Sequence, residues 1–308
     1  MPLMDWGIHL PHLGRQASRE GLIRFAQKAD GLGFHSGWVS DHVAWPRDIT
    51  SKYPYTDDGS FPPPADMSWL DPIGTMFFVA GVTENLKLGP TVLVLGYRLP
   101  VVTAKAIASL DVLSGGRVIL GVGVGWMREE FEVLGMPFDH RGKRADEQLE
   151  LFLELFTRDH PSYDGTYYQV PEIGFEPKPA QAKVPVWVGG DTEPAYKRVV
   201  RYGDAFHAAF EPIENVARGW ARIGELCEEA GRDRDELTLS VRLYLDPASQ
   251  MPRRSPSPAR PEQMLDTAGR WGDVGASHIL LDPVTRGGVE GRIEAMEAFM
   301  DRVGSQAG

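Results

Sequence analysis

Three stretches of the sequence could do chemistry, and each of them follows or contains a short apolar run. Asp41 and His42 follow "SGWVS" (36–40), and a histidine there can carry protons because its charge changes near neutral pH. The stretch "RVILGVGVGW" (117–126) alternates glycine with valine, which lets another group approach the backbone closely. "GGDT" (189–192) places two glycines before a predicted helix, where free N–H groups can bind an anion such as phosphate.

The same stretches fit other known motifs poorly. The dinucleotide fingerprint G-x-G-x-x-G needs a third glycine where Trp126 stands, and neither G-K-[ST] nor G-x-S-x-G occurs. The histidines near Asp41 could converge, but no H-x-x-x-H or H-E-x-x-H spacing is present, so we expect no metal site. Two structural alternatives stay open: a glycine-rich strand packed against its neighbours, and an ordinary helix cap at 189–192.

The elements that must position these residues alternate regularly along the chain. Short β-branched runs and helix-period runs follow one another about eight times, and several of the strand-like runs are almost wholly apolar, as buried parallel strands are. This pattern predicts a single (β/α)8 TIM barrel over residues 1–308, with an open doubly wound sheet as the alternative. The predicted strands are 6–10, 36–40, 86–94, 117–122, 184–189, 203–208, 237–245 and 277–282.

In such a barrel the site is built from the loops that follow the strands. His9 and His12 end or follow the first predicted strand, Asp41 and His42 follow the second, and the glycine ladder with Trp126 follows the fourth. Aromatic groups, glycine turns and a few polar residues suit a flat, phosphate-bearing organic cofactor better than a hydrolytic triad or a metal ion.

Three long segments predict insertions after strands 2, 4 and 7. Residues 43–68 are rich in Pro, Asp and Tyr without a helix period, and a loop of that length is typical of a lid. Residues 159–176 predict a small hairpin around Asp164 and Gly165. Residues 246–261 are rich in Pro, Ser and Arg.

Composition limits the partners. A formal net charge of −11 argues against nucleic acid and against anionic membrane surfaces, so we expect a small-molecule substrate. The N-terminus has no signal-peptide pattern, and no apolar run is long enough to span a bilayer, which predicts a cytoplasmic protein. Cys227, the single cysteine of the chain, is expected to fill the core.

Several stretches resemble the bacterial luciferase-like flavin and deazaflavin oxidoreductases. They are "WVSDH", "LGPTVLVLGYRLPVVTAKAIASLDVLSGGRVILGVGVGW", "FEPKPAQAKVPVWVGGDTEPAYKR" and "YGDAF", and the resemblance covers most of residues 4–210. Within that superfamily, "YPYTDDGSFPPPADMSWLDP" is similar to the actinobacterial branch associated with coenzyme F420. The resemblance implies a (β/α)8 barrel, a non-prolyl cis peptide at Thr91–Val92, and a homodimer.

The resemblance also implies a cofactor site at the strand ends. The tricyclic ring would lie near the Asp-His pair and the strand 3 bulge, beside the glycine ladder, with its phosphate at the Gly-Gly turn. The implied cofactor-binding residues are Asp41, His42, Thr91, Val92, Gly123, Gly125, Trp126, Gly189, Gly190, Asp191 and Thr192. The cofactor would be F420, with cations on the following helix (Lys197, Arg198, Arg201) facing its anionic tail, or alternatively FMN supporting monooxygenation.

The catalytic acid is expected to be a histidine. Sugar-phosphate dehydrogenases of the deazaflavin type carry a glutamate directly after the ladder, where this chain has Trp126. His42 is therefore the first candidate and His9 the second, while Glu129 and Glu130 are expected to interact with the N-terminal dipole of their helix. A lining of His9, Trp45, Trp69 and Trp126 would suit an apolar or cyclic substrate.

Overall fold

The computed structural model describes residues 4–245 and 263–304, and parallel strands and helices alternate through both ranges. The strands are β1 (Asp5–His9), β2 (Ser36–Val39), β3 (Lys87–Pro90), β4 (Leu93–Val94), β5 (Leu120–Gly123), β6 (Tyr163–Asp164), β7 (Gln169–Val170), β8 (Val186–Gly189), β9 (Ala205–Ala209), β10 (Thr238–Leu245) and β11 (Ala276–Pro283). The α-helices are α1 (Arg19–Gly31), α2 (Pro72–Ala80), α3 (Pro100–Ser114), α4 (Arg128–Val133), α5 (Arg141–Thr157), α6 (Glu193–Tyr202), α7 (Ile213–Ala230), α8 (Met264–Val274) and α9 (Gly288–Gly304).

Nine of these described strands form one parallel sheet in the order β3-β2-β1-β11-β10-β9-β8-β5-β4. The two edge strands, β3 and β4, are consecutive pieces of the predicted third strand, so the sheet closes into a barrel. A parallel bridge between Leu88 and Val118 joins β3 to the residues before β5 and completes the closure. The (β/α)8 barrel is therefore confirmed, and the open doubly wound sheet is excluded.

The third predicted strand, 86–94, is divided into two short strands. Thr91 and Val92 separate β3 from β4, and the peptide bond between them is cis, as the resemblance implied. β3 pairs with β2 and β4 pairs with β5, so this break lies at the mouth formed by the carboxyl ends of the strands.

Local sequence explains where the helices begin and end. The Ser18 hydroxyl accepts a hydrogen bond of 3.1 Å from the N–H of Gly21 and caps α1, as a serine directly before a helix does. α3 begins with Pro100 at its first position and ends at Gly115, whose φ of 71° is left-handed. These caps fix the lengths of the helices that cover the outer face of the barrel.

The interior of the barrel is filled by large rings and by small residues that make room for them. Trp38, Ile119, Trp187, Ala205 and Leu280 form a buried cluster inside the sheet. A side chain at Gly121 would overlap the carbonyl oxygen of Pro90, so a glycine is needed where β5 approaches β3.

The predicted insertions differ in structure. Between β2 and α2 the chain forms no long helix or strand, which agrees with an extended loop over 43–68. β6 and β7 form an antiparallel hairpin around Asp164 and Gly165, as predicted, and it lies between α5 and β8. Residues 246–261 lie outside the described residues. In the described part of the chain, no helix is both long and apolar enough to cross a membrane.

Candidate active site

A histidine and a glutamate meet at the mouth of the barrel, from elements far apart in the sequence. His42 follows β2, and its Nδ1 lies 2.5 Å from Oε2 of Glu130, which belongs to the first turn of α4. His42 is 8% exposed and Glu130 is fully buried. Glu130 lies in the first turn of α4, as expected, but its carboxylate is also bonded to the residues that follow β2.

The hydrogen bonds of Glu130 define the orientation of His42. Oε1 accepts bonds from the N–H groups of Val43 (2.6 Å) and Ala44 (3.2 Å), and Oε2 accepts one from the Tyr97 hydroxyl at 2.7 Å. Burial and the charge of Glu130 raise the pKa of Tyr97, so this hydroxyl stays protonated and donates. With three donors already directed at this carboxylate, the tautomer of His42 that has its proton on Nδ1 completes the set as a fourth donor.

Aromatic side chains surround His42. The rings of Trp45, Phe61, Trp69 and Trp126 have their centroids 4.9 to 6.1 Å from its own. The first three come from the loop between β2 and α2, and Trp126 comes from the end of the glycine ladder. Among the described residues, Nε2 of His42 has no hydrogen-bond partner, so this nitrogen is available to a molecule that binds beside the aromatic rings.

The long loop is held to α4 at a second point. Oε1 of Glu129 accepts hydrogen bonds from the N–H groups of Thr50 (2.7 Å) and Ser51 (3.0 Å). Burial alone would raise the pKa of Glu129, but the bonds from Ser51 and Thr50 outweigh it and lower that pKa to about 2. Glu129 and Glu130, expected to act on the dipole, therefore anchor the loop.

Asp41 is buried beside Arg98 rather than turned to the pocket. The guanidinium of Arg98 donates to both carboxylate oxygens at 2.7 and 2.9 Å, and the N–H of Val94 donates at 2.9 Å. Burial raises the pKa of Asp41, although the bonds and the charge of Arg98 act against it, and the bonds with Asp41 raise the pKa of Arg98 despite its burial. Asp41 thereby joins the end of β2 to β4.

His9 lies in a second polar cluster, at the end of β1 beside β2. Its Nε2 is 2.9 Å from the Ser40 hydroxyl, and its Nδ1 is 3.6 Å from Asp282, which accepts a bond of 2.5 Å from Arg242. Burial holds the pKa of His9 well below its ordinary value, although the charge of Asp282 acts in the opposite direction. His9 is therefore neutral, and the structure does not bring it into the pocket around His42.

Arg242 places a positive charge at the centre of the mouth. One of its terminal nitrogens lies 3.3 Å from the Ser40 hydroxyl and 3.5 Å from the carbonyl oxygen of Thr91. Within the described part of the chain its Nε is buried without a hydrogen-bond partner. Arg242 and Asp282 could not be selected from the sequence, because their strands are recognisable there but the residues that face them are not.

The glycines of the ladder make room for the residues at and after the break between β3 and β4. A side chain at Gly123 would overlap Val92, and one at Gly189 would come within 2.8 Å of it. A side chain at Gly125, whose φ is 77°, would lie 2.7 Å from Val94. The glycines therefore let Val92 and Val94 fill the space between the strands. This favours the alternative in which the glycine ladder is a strand packed against its neighbours.

The Gly-Gly turn ends at a helix without a side-chain cap. Gly190 has a φ of 110°, Asp191 and Thr192 are exposed, and Thr192 is the N-cap of α6 but makes no side-chain capping bond. This leaves the N-terminus of a ten-residue helix open to an anion.

Contrary to the expectation, the cations of α6 are paired with carboxylates and do not face this turn. Arg198 is buried and bonded to Asp146 at 2.6 Å, and Arg201 pairs with Glu150 at 2.7 Å. Lys197 is paired within its own helix, with Glu193 at 3.6 Å. In each case a carboxylate of a neighbouring element or turn already takes up the charge.

The closed parallel sheet and the polar residues at its carboxyl ends define a (β/α)8 barrel protein with its site in the usual place for that fold. The sequence profile of the family described as luciferase-like monooxygenase matches residues 7–250. The chain belongs to this family, whose members are oxidoreductases and monooxygenases, with F420-dependent enzymes among them.

Relatives include an uncharacterized protein from Mycobacterium tuberculosis, 36% identical over 210 residues, 68% of this chain and 72% of the relative. An F420-dependent glucose-6-phosphate dehydrogenase from Amycolatopsis mediterranei is 33% identical over 203 residues, 63% of this chain and 56% of the relative. A solved F420-dependent secondary alcohol dehydrogenase shares the fold with a TM-score of 0.76 at 18% identity, over 96% of this chain and 99% of that chain. A coenzyme F420 dependent tetrahydromethanopterin reductase from Methanopyrus kandleri also has a TM-score of 0.76, at 16% identity, over 99% of each chain.

Proposed function

We propose that the protein is an F420-dependent oxidoreductase that transfers a hydride to or from a small apolar or cyclic organic molecule. The observation that carries the proposal is the cluster around His42, where an imidazole bonded to a buried carboxylate is surrounded by aromatic rings. Such a cluster combines a proton-carrying group with apolar surroundings. A relative at 33% identity that is named as F420-dependent supports the choice of cofactor.

The residues at the mouth fit a flat cofactor with a phosphate. Thr91 and Val92 lie between two strands at the mouth, and glycines at 123 and 189 leave the space that Val92 occupies. The uncapped N-terminus of α6 after Gly190 would hold the phosphate. The unpartnered Nε of Arg242, buried next to Thr91, would give a hydrogen bond to an electron-rich edge of the ring.

Each polar residue then has a distinct task. When bound, F420 supplies a carbon that gives or accepts a hydride and that reacts poorly with oxygen. His42 would give or take the proton that accompanies the hydride through Nε2, while Glu130 holds its Nδ1–H. Asp41 and Arg98 hold the end of β2 against β4, and the rings of Trp45, Trp69 and Trp126 exclude water from the pocket.

The alternative is an FMN-dependent monooxygenase, which the description of the family favours. A fluorescence titration of the protein with F420 and with FMN, side by side, decides between the two cofactors. Tighter binding of F420 supports the proposal, whereas equal or tighter binding of FMN contradicts it.

A matched pair of variants shows whether the binding takes place at this mouth. Gly190→Val adds a β-branched side chain at a φ of 110° and is expected to weaken binding at least tenfold, because it disturbs the turn before α6. Gly231→Val is the control, since it places the same side chain at a positive φ of 65° at the end of α7, away from the mouth. An equal loss of affinity in both variants would place the binding elsewhere.

A further inference from the structure

A chain of hydrogen bonds runs through the interior of the barrel and begins at Thr91. Its hydroxyl lies 2.8 Å from Nε2 of His207, whose Nδ1 lies 2.8 Å from the hydroxyl of Ser240. Ser240 also lies 2.8 Å from Nδ1 of His278, whose Nε2 is 3.0 Å from the hydroxyl of Ser36. All five residues are buried, so the chain is separated from solvent along this length.

The chain reaches solvent at the opposite end of the barrel. The Ser36 hydroxyl lies 3.2 Å from Nδ1 of His35, and Nε2 of His35 lies 2.9 Å from the amine of Lys87. The side chain of His35 is 21% exposed, and the exposed carboxylate of Asp5 lies 3.5 Å from it. The chain therefore connects the amino-terminal mouth of the barrel with Thr91 at the other mouth.

The positions of the protons follow from the partners at the solvent end. A lysine ammonium only donates, so Nε2 of His35 accepts and its Nδ1–H donates to Ser36. The indole N–H of Trp38 donates to the same hydroxyl at 2.8 Å. Ser36 thus accepts twice, and its own proton is directed to Nε2 of His278.

The same reasoning continues to the site. His278 accepts at Nε2, carries its proton on Nδ1 and donates to Ser240. Ser240 then donates to Nδ1 of His207, and His207 carries its proton on Nε2 and donates to Thr91. Every donor in the chain points toward Thr91, whose own hydroxyl proton is left over for an acceptor at the mouth.

The surrounding packing keeps this chain intact. The ring of Trp38 stacks on that of His207 with a centroid distance of 5.1 Å and an angle of 10°. A side chain at Gly7 would come within 2.8 to 2.9 Å of Trp38, His278 and Ser36. Glycine at this position therefore leaves room for the polar groups.

We propose that this chain conducts protons from solvent at His35 to Thr91 in the active site. A proton enters at Nε2 of His35; each imidazole accepts on one nitrogen and releases from the other; and the Thr91 hydroxyl proton passes to a base in the site. At each member one N–H or O–H bond forms and another breaks, so the net change is one proton delivered to the base without transfer of electrons, and the rings and hydroxyls must turn back before the next proton passes. The proposal rests on the proposed function in one respect, since the base at Thr91 would belong to the cofactor or the substrate. The fixed charges beside the chain are Lys87 and Asp5 at the entrance and Arg242 near Thr91.

The first test determines the tautomers in the free protein. Histidine-selective ¹⁵N NMR is expected to show the proton of His207 on Nε2 and that of His278 on Nδ1. A proton on the other nitrogen of either ring would reverse the direction of the chain and overturn the proposal. No cofactor is needed, so failure of the F420 titration would not affect this result.

The second test measures proton exchange between water and the ring N–H of His278, by saturation transfer from water in the free protein. The double variant His35→Phe/Ser240→Ala interrupts the chain on both sides of His278 and is expected to slow this exchange at least tenfold. Ser114→Ala is the control, because it removes a buried, hydrogen-bonded hydroxyl outside the chain.

A purely structural network predicts the opposite sign. Variants that weaken the fold would then exchange faster, because exchange would depend on opening of the protein. Unchanged or faster exchange in the double variant therefore overturns the proposal. If the double variant does not fold, the single variant His35→Phe changes only the partly exposed end of the chain of hydrogen bonds. It is expected to slow exchange at least twofold, and unchanged or faster exchange in this variant also overturns the proposal.

Discussion

Nδ1 of His42 and Oε2 of Glu130 lie 2.5 Å apart, although 88 positions separate these residues in the sequence. The same carboxylate holds the backbone of Val43 and Ala44, so it fixes both the ring and the start of the loop that covers it. One buried side chain therefore determines which nitrogen of His42 faces the pocket.

The first prediction concerns this carboxylate. Glu130→Gln replaces one acceptor oxygen with a donor, which leaves either the His42 and Tyr97 donors or the backbone donors without a partner. We expect the free energy of unfolding to fall by about 1–3 kcal/mol, as for other buried unpaired polar groups. Chemical denaturation measures this loss. Glu132→Gln, at an exposed position of the same helix, is the control and should change stability by less than about 0.5 kcal/mol. Equal stabilities of the two variants would contradict the assignment.

The second prediction concerns pH. Burial lowers the pKa of His12 to about 4 and that of His207 to about 3, whereas both pKa values are about 6.5 in the unfolded chain. Between these pKa values the unfolded chain binds more protons than the folded protein. The contribution to stability is therefore fully present above the pKa of the unfolded chain and is lost as pH falls toward the pKa of the folded protein. Each such histidine contributes a slope of about 1.4 kcal/mol per pH unit.

Denaturation at a series of pH values between 7 and 4.5 measures this slope. His12→Asn is expected to reduce it, because one group that is buried in the neutral form is removed. His160→Asn, at an exposed position, should leave the slope unchanged. A stability that is independent of pH in this range would show that these rings accept protons without unfolding.

The third prediction concerns the loop over the pocket. Glu129→Ala removes the acceptor that holds Thr50 and Ser51, so trypsin should cleave at Arg47 and Lys52 several times faster than in the wild type. Glu132→Ala should cleave at the wild-type rate. F420 should slow cleavage of the wild type if the segment 43–68 closes over the site, and equal cleavage with and without F420 would argue against a lid.

The fourth prediction concerns the substrate. Glucose-6-phosphate should not reduce F420 with this protein, because Trp126 stands directly after the glycine ladder and packs against Tyr53 and Phe61, where an indole cannot act as an acid. The absorbance of F420 monitors the reaction. The glucose-6-phosphate dehydrogenase of Amycolatopsis mediterranei, in the same assay, is the positive control. Robust reduction by this protein would show that the role of Trp126 has been misjudged.

The fifth prediction concerns association with a second copy. Leu99, Val102 and Leu113, at the two ends of α3, are 64–72% exposed, and several exposed apolar side chains along one helix are typical of protein interfaces. Light scattering is expected to show a homodimer that Leu113→Lys weakens and Leu113→Met preserves. A wild-type monomer at micromolar concentration would contradict this expectation.

The sequence predicted what depends on local pattern. The barrel, the strand ends with Asp41 and His42, and the cap at Ser18 all follow from short-range periodicity and turn chemistry, or from a resemblance carried by contiguous stretches. Residue type and position along the chain were sufficient for these features.

Features that depend on the direction of a side chain could not be predicted in this way. Glu130 lies where a carboxylate ordinarily meets a helix dipole, and only the folded chain shows that it reaches His42. Arg198 lies on the helix expected to meet an anion, yet Asp146, 52 residues away, takes up its charge. Pairings of this kind arise from packing between elements, and a single sequence carries no record of them.

Two adjacent carboxylates hold the loop after β2 at two places, with Glu130 at Val43 and Ala44 and Glu129 at Thr50 and Ser51. The loop and the first turn of α4 are therefore a single transferable unit. Because these four donors are backbone N–H groups, a loop taken from a relative keeps the anchors only where its backbone meets both carboxylates and has no proline at the donor positions. A graft that exchanges residues 126–130 together with the loop carries each loop with its own first turn of α4, which makes the two segments the natural module for directed evolution at this mouth.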